Sequence, residues 1–243
     1  MTGPGAIVGT LAANPLWFAT RACGTVALVL LTVSVVIGIA SARRYAPGRI
    51  GRFEVAAAHR NASVLALVFL AAHIVTAIAD AYVPLGWVSV VIPFASPYRT
   101  LWTGLGTVAF DLLAVVALTS AVRLRLGVRS WKTVHYLAYA AWPPAVFHAA
   151  GTGTDTRLKP QLALYVLCVG SVTAACWWRL YTAGPRYRGA RVLAALATGI
   201  LPVLLSVFLT GGPLAPGWSH RAAGPVRHLS PAAVSALTAA GRR

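Results

Sequence analysis

The stretch HRNASVLALVFLAAH, residues 59–73, is an apolar run with a histidine at each end. Each residue of an α-helix rises about 1.5 Å and turns about 100°, so the step from His59 to His73 covers about 21 Å and returns to within about 40° of the same face. A helix over this stretch therefore presents two imidazoles on one side, at two depths.

A second stretch, HYLAYAAWPPAVFH at residues 135–148, has the same form, with His135 and His148 at its ends. This step covers about 20 Å, but an ideal helix would leave the two rings about 140° apart. Pro143 and Pro144 lie inside the interval and can kink or rewind a helix, so the ideal angle need not hold.

The composition of the 243 residues indicates an integral membrane protein. The hydrophobic fraction is 58% and only 10% of residues are charged, against about a quarter in soluble domains. A helix needs about 20 apolar residues to cross a bilayer, and we predict an all-α, six-helix transmembrane bundle on this basis. The predicted spans are residues 17–40, 57–82, 101–122, 133–151, 161–181 and 190–210.

The net charge of +17 is distributed in a way that favours a topological role over nucleic-acid binding. Basic residues cluster in alternate connections, and the connections between those clusters hold only Arg99, or Arg157 and Lys159. By the positive-inside rule the three basic loops are cytoplasmic and both termini lie outside. The clustered residues, which can also contact anionic lipid, are Arg43, Arg44, Arg49, Arg52, Arg60, Arg123, Arg125, Arg129, Lys132, Arg179, Arg186, Arg188 and Arg191.

The remaining segments divide the chain into an outer segment at 1–16, the transmembrane domain at 17–210 and an outer tail at 211–243. We expect the tail, which is rich in glycine and proline and contains His220 and His228, to be extended. No charged segment precedes the first span, so we expect no cleaved signal peptide.

Three other features within the bundle lead to separate expectations. The first span shows no chemical group of note, and we interpret it as a packing helix. The apolar, proline-containing connection at 84–100 is expected to lie at the interface or fold back over the helix ends. Asp111 falls at membrane depth, where an acid is either functional or part of a helix–helix hydrogen bond.

The predicted topology places the four histidines in two layers. His59 and His135 lie near the inner face, and His73 and His148 near the outer face. Two imidazoles per layer, on two helices, suit the six-coordinate iron of haem, so we predict two stacked haems between spans two and four. Interhelical hydrogen bonds, zinc and a transporter's proton relay are the alternatives.

Haem propionates require cations when they are partly buried, and several basic residues are placed for this role. Each of them could instead serve only to set the topology. The candidates are Arg52, Arg60 and Lys132 for the inner haem, and Arg99, Arg157 and Lys159 for the outer haem.

At this point the sequence resembles the ferric reductase-like transmembrane domain family, which includes the membrane portions of NADPH oxidases and the haem-binding subunit of the bacterial methionine sulfoxide reductase system. The resemblance rests on the two histidine steps, on SPYRTLWTGLGTVAFDLLAVVALTS at 96–120 and on RSWKTVHYLAYAAWPPAVFH at 129–148. It covers about residues 10–215. The resemblance implies two b-type haems held by the four histidines.

The resemblance also implies a function in electron transfer across a bacterial cytoplasmic membrane. No GxGxxG fingerprint is present, so we expect no FAD or NADPH domain in this chain and a separate donor, either a flavoprotein or a quinol. The outer acceptor would be ferric iron or a secreted redox protein, such as an FMN-binding protein that docks on GPLAPGW at 212–218. The alternative is a non-enzymatic haem-binding anchor or sensor subunit.

Overall fold

The structure is a computed structural model that describes residues 15–43, 45, 48, 51–80, 85–182 and 188–218. Every regular element in these residues is a helix, as the composition predicts. The α-helices are α1 (Pro15–Ala42), α2 (Arg52–Ala79), α3 (Val88–Val91), α4 (Thr100–Ala121), α5 (Arg123–Leu126), α6 (Val128–His135), α7 (Leu137–Thr152), α8 (Lys159–Tyr181) and α9 (Arg188–Gly211), and a 3-10 turn spans Thr154–Arg157.

Five of these helices, α1, α2, α4, α8 and α9, are long and apolar enough to cross a membrane. They correspond to five of the six predicted spans. The second begins at Arg52 rather than at residue 57, because the backbone N–H of Gly51 donates to Glu54 Oε2 at 2.8 Å. This carboxylate caps the helix and complements the positive end of its dipole.

The fourth predicted span, residues 133–151, is not one continuous helix. It is divided at Tyr136 between α6 and α7, neither of which is long enough to cross a bilayer alone. Pro143 and Pro144 both lie inside α7, which continues through them. The interruption of the regular α-helix therefore occurs at Tyr136, where the N–H of Tyr139 bonds to the Tyr136 carbonyl in the tighter i to i+3 pattern.

The helices pack as two antiparallel pairs, with α1 against α2 and α4 against α7, while α8 contacts α1 and α9. The buried core lies where α1, α7, α8 and α9 meet, and Trp142 is its largest fully buried side chain. The Trp142 Nε1–H donates to Thr32 Oγ1 at 3.0 Å, and that hydroxyl donates to the Leu28 carbonyl at 2.8 Å. A polar chain thus joins α7 to α1 within an apolar core.

The apolar connection before α4 folds back over the start of that helix, which was one of the two arrangements expected for it. The Thr107 hydroxyl of α4 donates to the Ser89 carbonyl of α3 at 2.7 Å. Phe94 and Arg99 have φ angles of 64° and 44°, and these two left-handed residues turn the chain between α3 and α4.

Residues that flank the predicted basic loops meet at one end of the bundle. Arg43, at the end of α1, donates to the Thr182 carbonyl after α8, and the rings of Tyr45 and Trp178 lie 5.3 Å apart. Arg179 of α8 lies over the Tyr136 ring, with its guanidinium carbon 5.7 Å from the ring centroid. The end of α1, the end of α8 and the chain at Tyr136 therefore lie on one side of the bundle.

The first residues of the predicted outer tail pack against the opposite end of the bundle. Arg157 donates to the carbonyl oxygens of Pro213 and Ala215 at 2.9 and 2.6 Å, and the Trp218 ring lies 5.8 Å from that of Phe208. Residues 212–218 are therefore held in turns rather than extended. His220 and His228 lie outside the described residues.

We expect Thr32→Val to lower the free energy of unfolding by about 1 kcal/mol, because Trp142 Nε1–H loses its acceptor inside the bundle. Thr32→Ser keeps the hydroxyl and should retain most of the stability. Reversible unfolding in mixed detergent measures the difference, and equal stabilities for the Val and Ser variants would contradict the assignment.

Candidate functional site

The four predicted histidines face a single cavity as two pairs. The His59 and His135 ring centroids are 6.1 Å apart with an interplanar angle of 83°, and those of His73 and His148 are 6.1 Å apart with an angle of 81°. We call these the His59–His135 pair and the His73–His148 pair. Their cavity of about 1190 Å³ exceeds the 300–1,000 Å³ (roughly) of a usual small-molecule pocket.

The separation within each pair agrees with the spacing of two imidazoles that bind one metal ion from opposite sides. Metal bonds to imidazole nitrogens are about 2 Å long and the ring centroid lies about 1 Å behind the nitrogen, so such a pair has centroids about 6 Å apart. Among the described residues no group of three or more His, Cys, Asp or Glu side chains could hold a metal. Each pair could therefore supply two ligands to a group that brings the remaining ones itself.

Backbone carbonyls define which nitrogen of three imidazoles carries a proton. His59 Nδ1 lies 2.9 Å from the Ser34 carbonyl oxygen, His73 Nδ1 lies 2.7 Å from that of Thr20, and His148 Nδ1 lies 2.8 Å from that of Trp102. A carbonyl oxygen only accepts, so each Nδ1 must donate. The Nε2 atom of each ring is then unprotonated and has a lone pair for a metal.

Glycines make these three hydrogen bonds possible. A Cβ added at Gly24 would lie 2.8 Å from His73 Nδ1, one at Gly38 would lie 3.0 Å from His59 Cε1, and one at Gly106 would lie 2.5 Å from His148 Nδ1. Contacts this short would displace the rings. Because glycine has no Cβ, each of these positions leaves room for an imidazole to reach a backbone carbonyl of the neighbouring helix.

Helix α1 is consequently more than the packing helix that the sequence suggested. It provides two glycines and two carbonyl acceptors for the histidines of α2. The sequence did contain a signal, because Gly24 and Gly38 have the same fourteen-residue spacing as His59 and His73. Equal spacing on two antiparallel helices allows both contacts at once.

His135 is held differently from the other three histidines. Its Nδ1 is buried and has no hydrogen-bond partner within the described part of the chain. The ring instead packs on Trp131, with centroids 5.0 Å apart, and Trp131 Nε1–H donates to Ser120 Oγ at 3.2 Å. The His135 ring is thus positioned by stacking on Trp131, whereas the other three rings are positioned by a hydrogen bond to a backbone carbonyl.

Two of the four principal propionate candidates line the cavity. Arg60 and Lys132 lie at its His59–His135 end, whereas Arg52 is the exposed first residue of α2 and is not a lining residue. Arg99 is 6% exposed and directs Nη1 at the Gly151 carbonyl, 2.7 Å away. The structure thus gives Arg99 a role in joining α4 to the end of α7.

The two further candidates for the outer haem also lie elsewhere, since Arg157 binds the start of the tail and Lys159 is exposed at the beginning of α8. Sequence reasoning missed three cations that do line the cavity: Arg21, Arg123 and Arg179. Arg21 forms an ion pair with Asp155 at the His73–His148 end.

The remaining sequence candidates do not reach the histidines. Asp111 is half-buried on α4 and is not among the residues that line the cavity, so its functional role stays a prediction. Cys23, Cys168 and Cys176 are free thiols that lie within α1 and α8.

Comparison with known proteins identifies the transmembrane region. The sequence model of a family described as Ferric reductase like transmembrane component matches residues 23–146, just over half of the chain. This match confirms the resemblance seen in the sequence, and it includes His59, His73 and His135. No curated protein and no solved structure matches the chain.

We expect Gly106→Ala to cause loss of the haem predicted for the His73–His148 pair, because the new Cβ displaces the His148 ring. Gly170→Ala is the matched control, since a Cβ there meets nothing within 4 Å. Haem extracted from the purified variants and counted against protein makes the comparison. Equal haem content in both variants would contradict the role assigned to the glycine.

Proposed function

Since the chain belongs to the family of ferric reductase-like transmembrane components, we propose that it transfers electrons across a membrane through two b-type haems, one held by each histidine pair. The observation that carries this proposal is the pair of facing imidazoles, repeated at two depths of one cavity with centroids 6.1 Å apart. Haem, when bound, supplies the reversible one-electron chemistry of its iron.

The protein's own contribution begins with the ligands. The carbonyl oxygens of Thr20, Ser34 and Trp102 hold three imidazoles in the Nδ1–H tautomer and aim Nε2 into the cavity. These hydrogen bonds also increase the basicity of the ligating nitrogen. The rings are therefore oriented before any group binds, so that little reorganisation accompanies a change of charge.

The arrangement of the pairs along α2 supports a path through the membrane. His59 and His73 are fourteen residues apart in one continuous helix, which separates the two layers by about 21 Å. That distance is a large part of the roughly 30 Å hydrocarbon core. One electron carrier in each layer would therefore connect the two sides without any movement of the protein.

Cations of the cavity are suited to the carboxylates of the bound groups. Arg60 and Lys132 are available at the His59–His135 end, with Arg123 and Arg179 also among the lining residues. A carboxylate in a low-dielectric site is stable only beside positive charge. We therefore assign Arg60 and Lys132 as the principal partners of the propionates of the haem proposed for the His59–His135 pair.

The charge of the loops supports an orientation for the proposed path. By the positive-inside rule the end with the basic connections would face the cytoplasm, and we propose that electrons enter there, at the His59–His135 pair, and leave at the His73–His148 pair. A flavoprotein or quinol is the proposed donor, and ferric iron or a secreted redox protein is the acceptor. The proposed location is a bacterial cytoplasmic membrane, with segment 212–218 at the acceptor side.

We expect the purified protein to contain two non-covalent b haems, and His59→Ala combined with His135→Ala to lose one of them. The remaining haem also demonstrates that the double variant is folded, because its ligands are on α2 and α7. A reduced-minus-oxidised spectrum with haem quantification measures this result. Retention of both haems by the double variant would overturn the ligand assignment.

Electron transfer across a bilayer is expected to require both pairs. Liposomes with trapped ferricyanide report the transfer when dithionite is added outside, because neither reagent crosses the lipid. We expect the reconstituted protein to bleach the trapped ferricyanide, and either double variant, His59→Ala/His135→Ala or His73→Ala/His148→Ala, to fall to the protein-free rate. Wild-type rates in either variant would contradict a path through both layers.

A further inference from the structure

Three of the four histidines share one arrangement on the neighbouring helix. The acceptor carbonyl and the glycine are four residues apart in each case: Thr20 and Gly24 for His73, Ser34 and Gly38 for His59, and Trp102 and Gly106 for His148. The carbonyl of residue i in a helix points towards residue i+4. A glycine at i+4 therefore exposes that carbonyl to an incoming imidazole.

The fourth position in this pattern is occupied by a serine. Ser120 follows Gly106 by fourteen residues on α4, as Gly38 follows Gly24 on α1, and the corresponding acceptor is the Val116 carbonyl. That carbonyl instead accepts from the Thr119 hydroxyl at 3.2 Å. Ser120 and Val116 both line the cavity, yet His135 Nδ1 makes no hydrogen bond within the described residues.

The helix that holds His135 is short and has no buried residue. Helix α6 has eight residues, none of them buried, whereas His59 and His73 belong to a helix of 28 residues. It begins after Gly127, whose φ is 76°, and ends at the break at Tyr136. Short, exposed segments between two breaks open locally at low free-energy cost.

We propose that His135 is a displaceable ligand, so that the His59–His135 site binds a small neutral molecule of the carbon monoxide class while the His73–His148 site does not. This inference rests on the proposed haem function. His135 would give up its place as a ligand to the added molecule; both are neutral two-electron donors, so the exchange would need no oxidant, reductant or proton. His59 remains in place, because the Ser34 carbonyl holds its ring.

Carbon monoxide added to the dithionite-reduced protein tests the proposal directly. We expect a carbon monoxide difference spectrum from half of the haem. The signal should persist in His73→Leu/His148→Leu, which retains the His59–His135 pair, and be absent from His59→Leu/His135→Leu. A protein without haem would refute the proposed function itself. If both sites contain haem and neither binds carbon monoxide, or both bind it with equal affinity, only this inference is overturned.

Placing a glycine at position 120 tests whether Ser120 is the reason that His135 lacks a carbonyl partner. We expect Ser120→Gly to open the Val116 carbonyl to His135 Nδ1 and to weaken carbon monoxide binding about five- to tenfold, the effect of one additional hydrogen bond. Ser171→Gly, on the exposed face of α8, is the control for introducing glycine into a helix. An affinity unchanged from wild type in Ser120→Gly would overturn the assignment of the serine.

Discussion

The hydrogen bond from an imidazole Nδ1–H to a helix carbonyl is the constraint on which the rest of this structure depends. A ring nitrogen in a membrane interior needs a partner, since an unpaired donor there loses several kcal/mol (roughly) of hydration. The carbonyls of Thr20 and Ser34 meet this need for α2 only because Gly24 and Gly38 let the helices approach closely. The distance between α1 and α2 is thereby set by the chemistry of the histidines.

The same constraint explains why the bundle consists of two helix pairs. Helix α1 supports the histidines of α2, and α4 supports His148 of α7, so α2 and α7 each have a supporting neighbour. The cavity lies between the two pairs: the His73–His148 layer takes one imidazole from each pair, and the His59–His135 layer takes one from α2 and one from the short helix α6. The departure at Ser120 is informative because it affects the only histidine that belongs, within the described residues, to a short helix.

Positive charge has two roles at one end of the molecule. The basic connections are the basis of the proposed topology, and some of the same residues reach the cavity: Arg60 and Lys132 approach it from α2 and α6. At the opposite end the arginines are used within the fold, since Arg99 joins two helices and Arg157 holds the start of the tail. Most of the cations that line the cavity therefore lie at the end proposed to receive electrons.

The sequence alone determined the helical class, most span boundaries, the histidine spacing and the clustering of basic loops. These properties depend on local periodicity and hydropathy, which a helix expresses without reference to its neighbours. Only the tertiary structure decided that the chain breaks at Tyr136 rather than at Pro143, that Arg99 faces carbonyls, and that α1 carries the acceptors. Each of these features depends on which helices are in contact. Contacts between segments that are distant in the chain produce no periodic pattern within either segment, so the sequence alone does not reveal them.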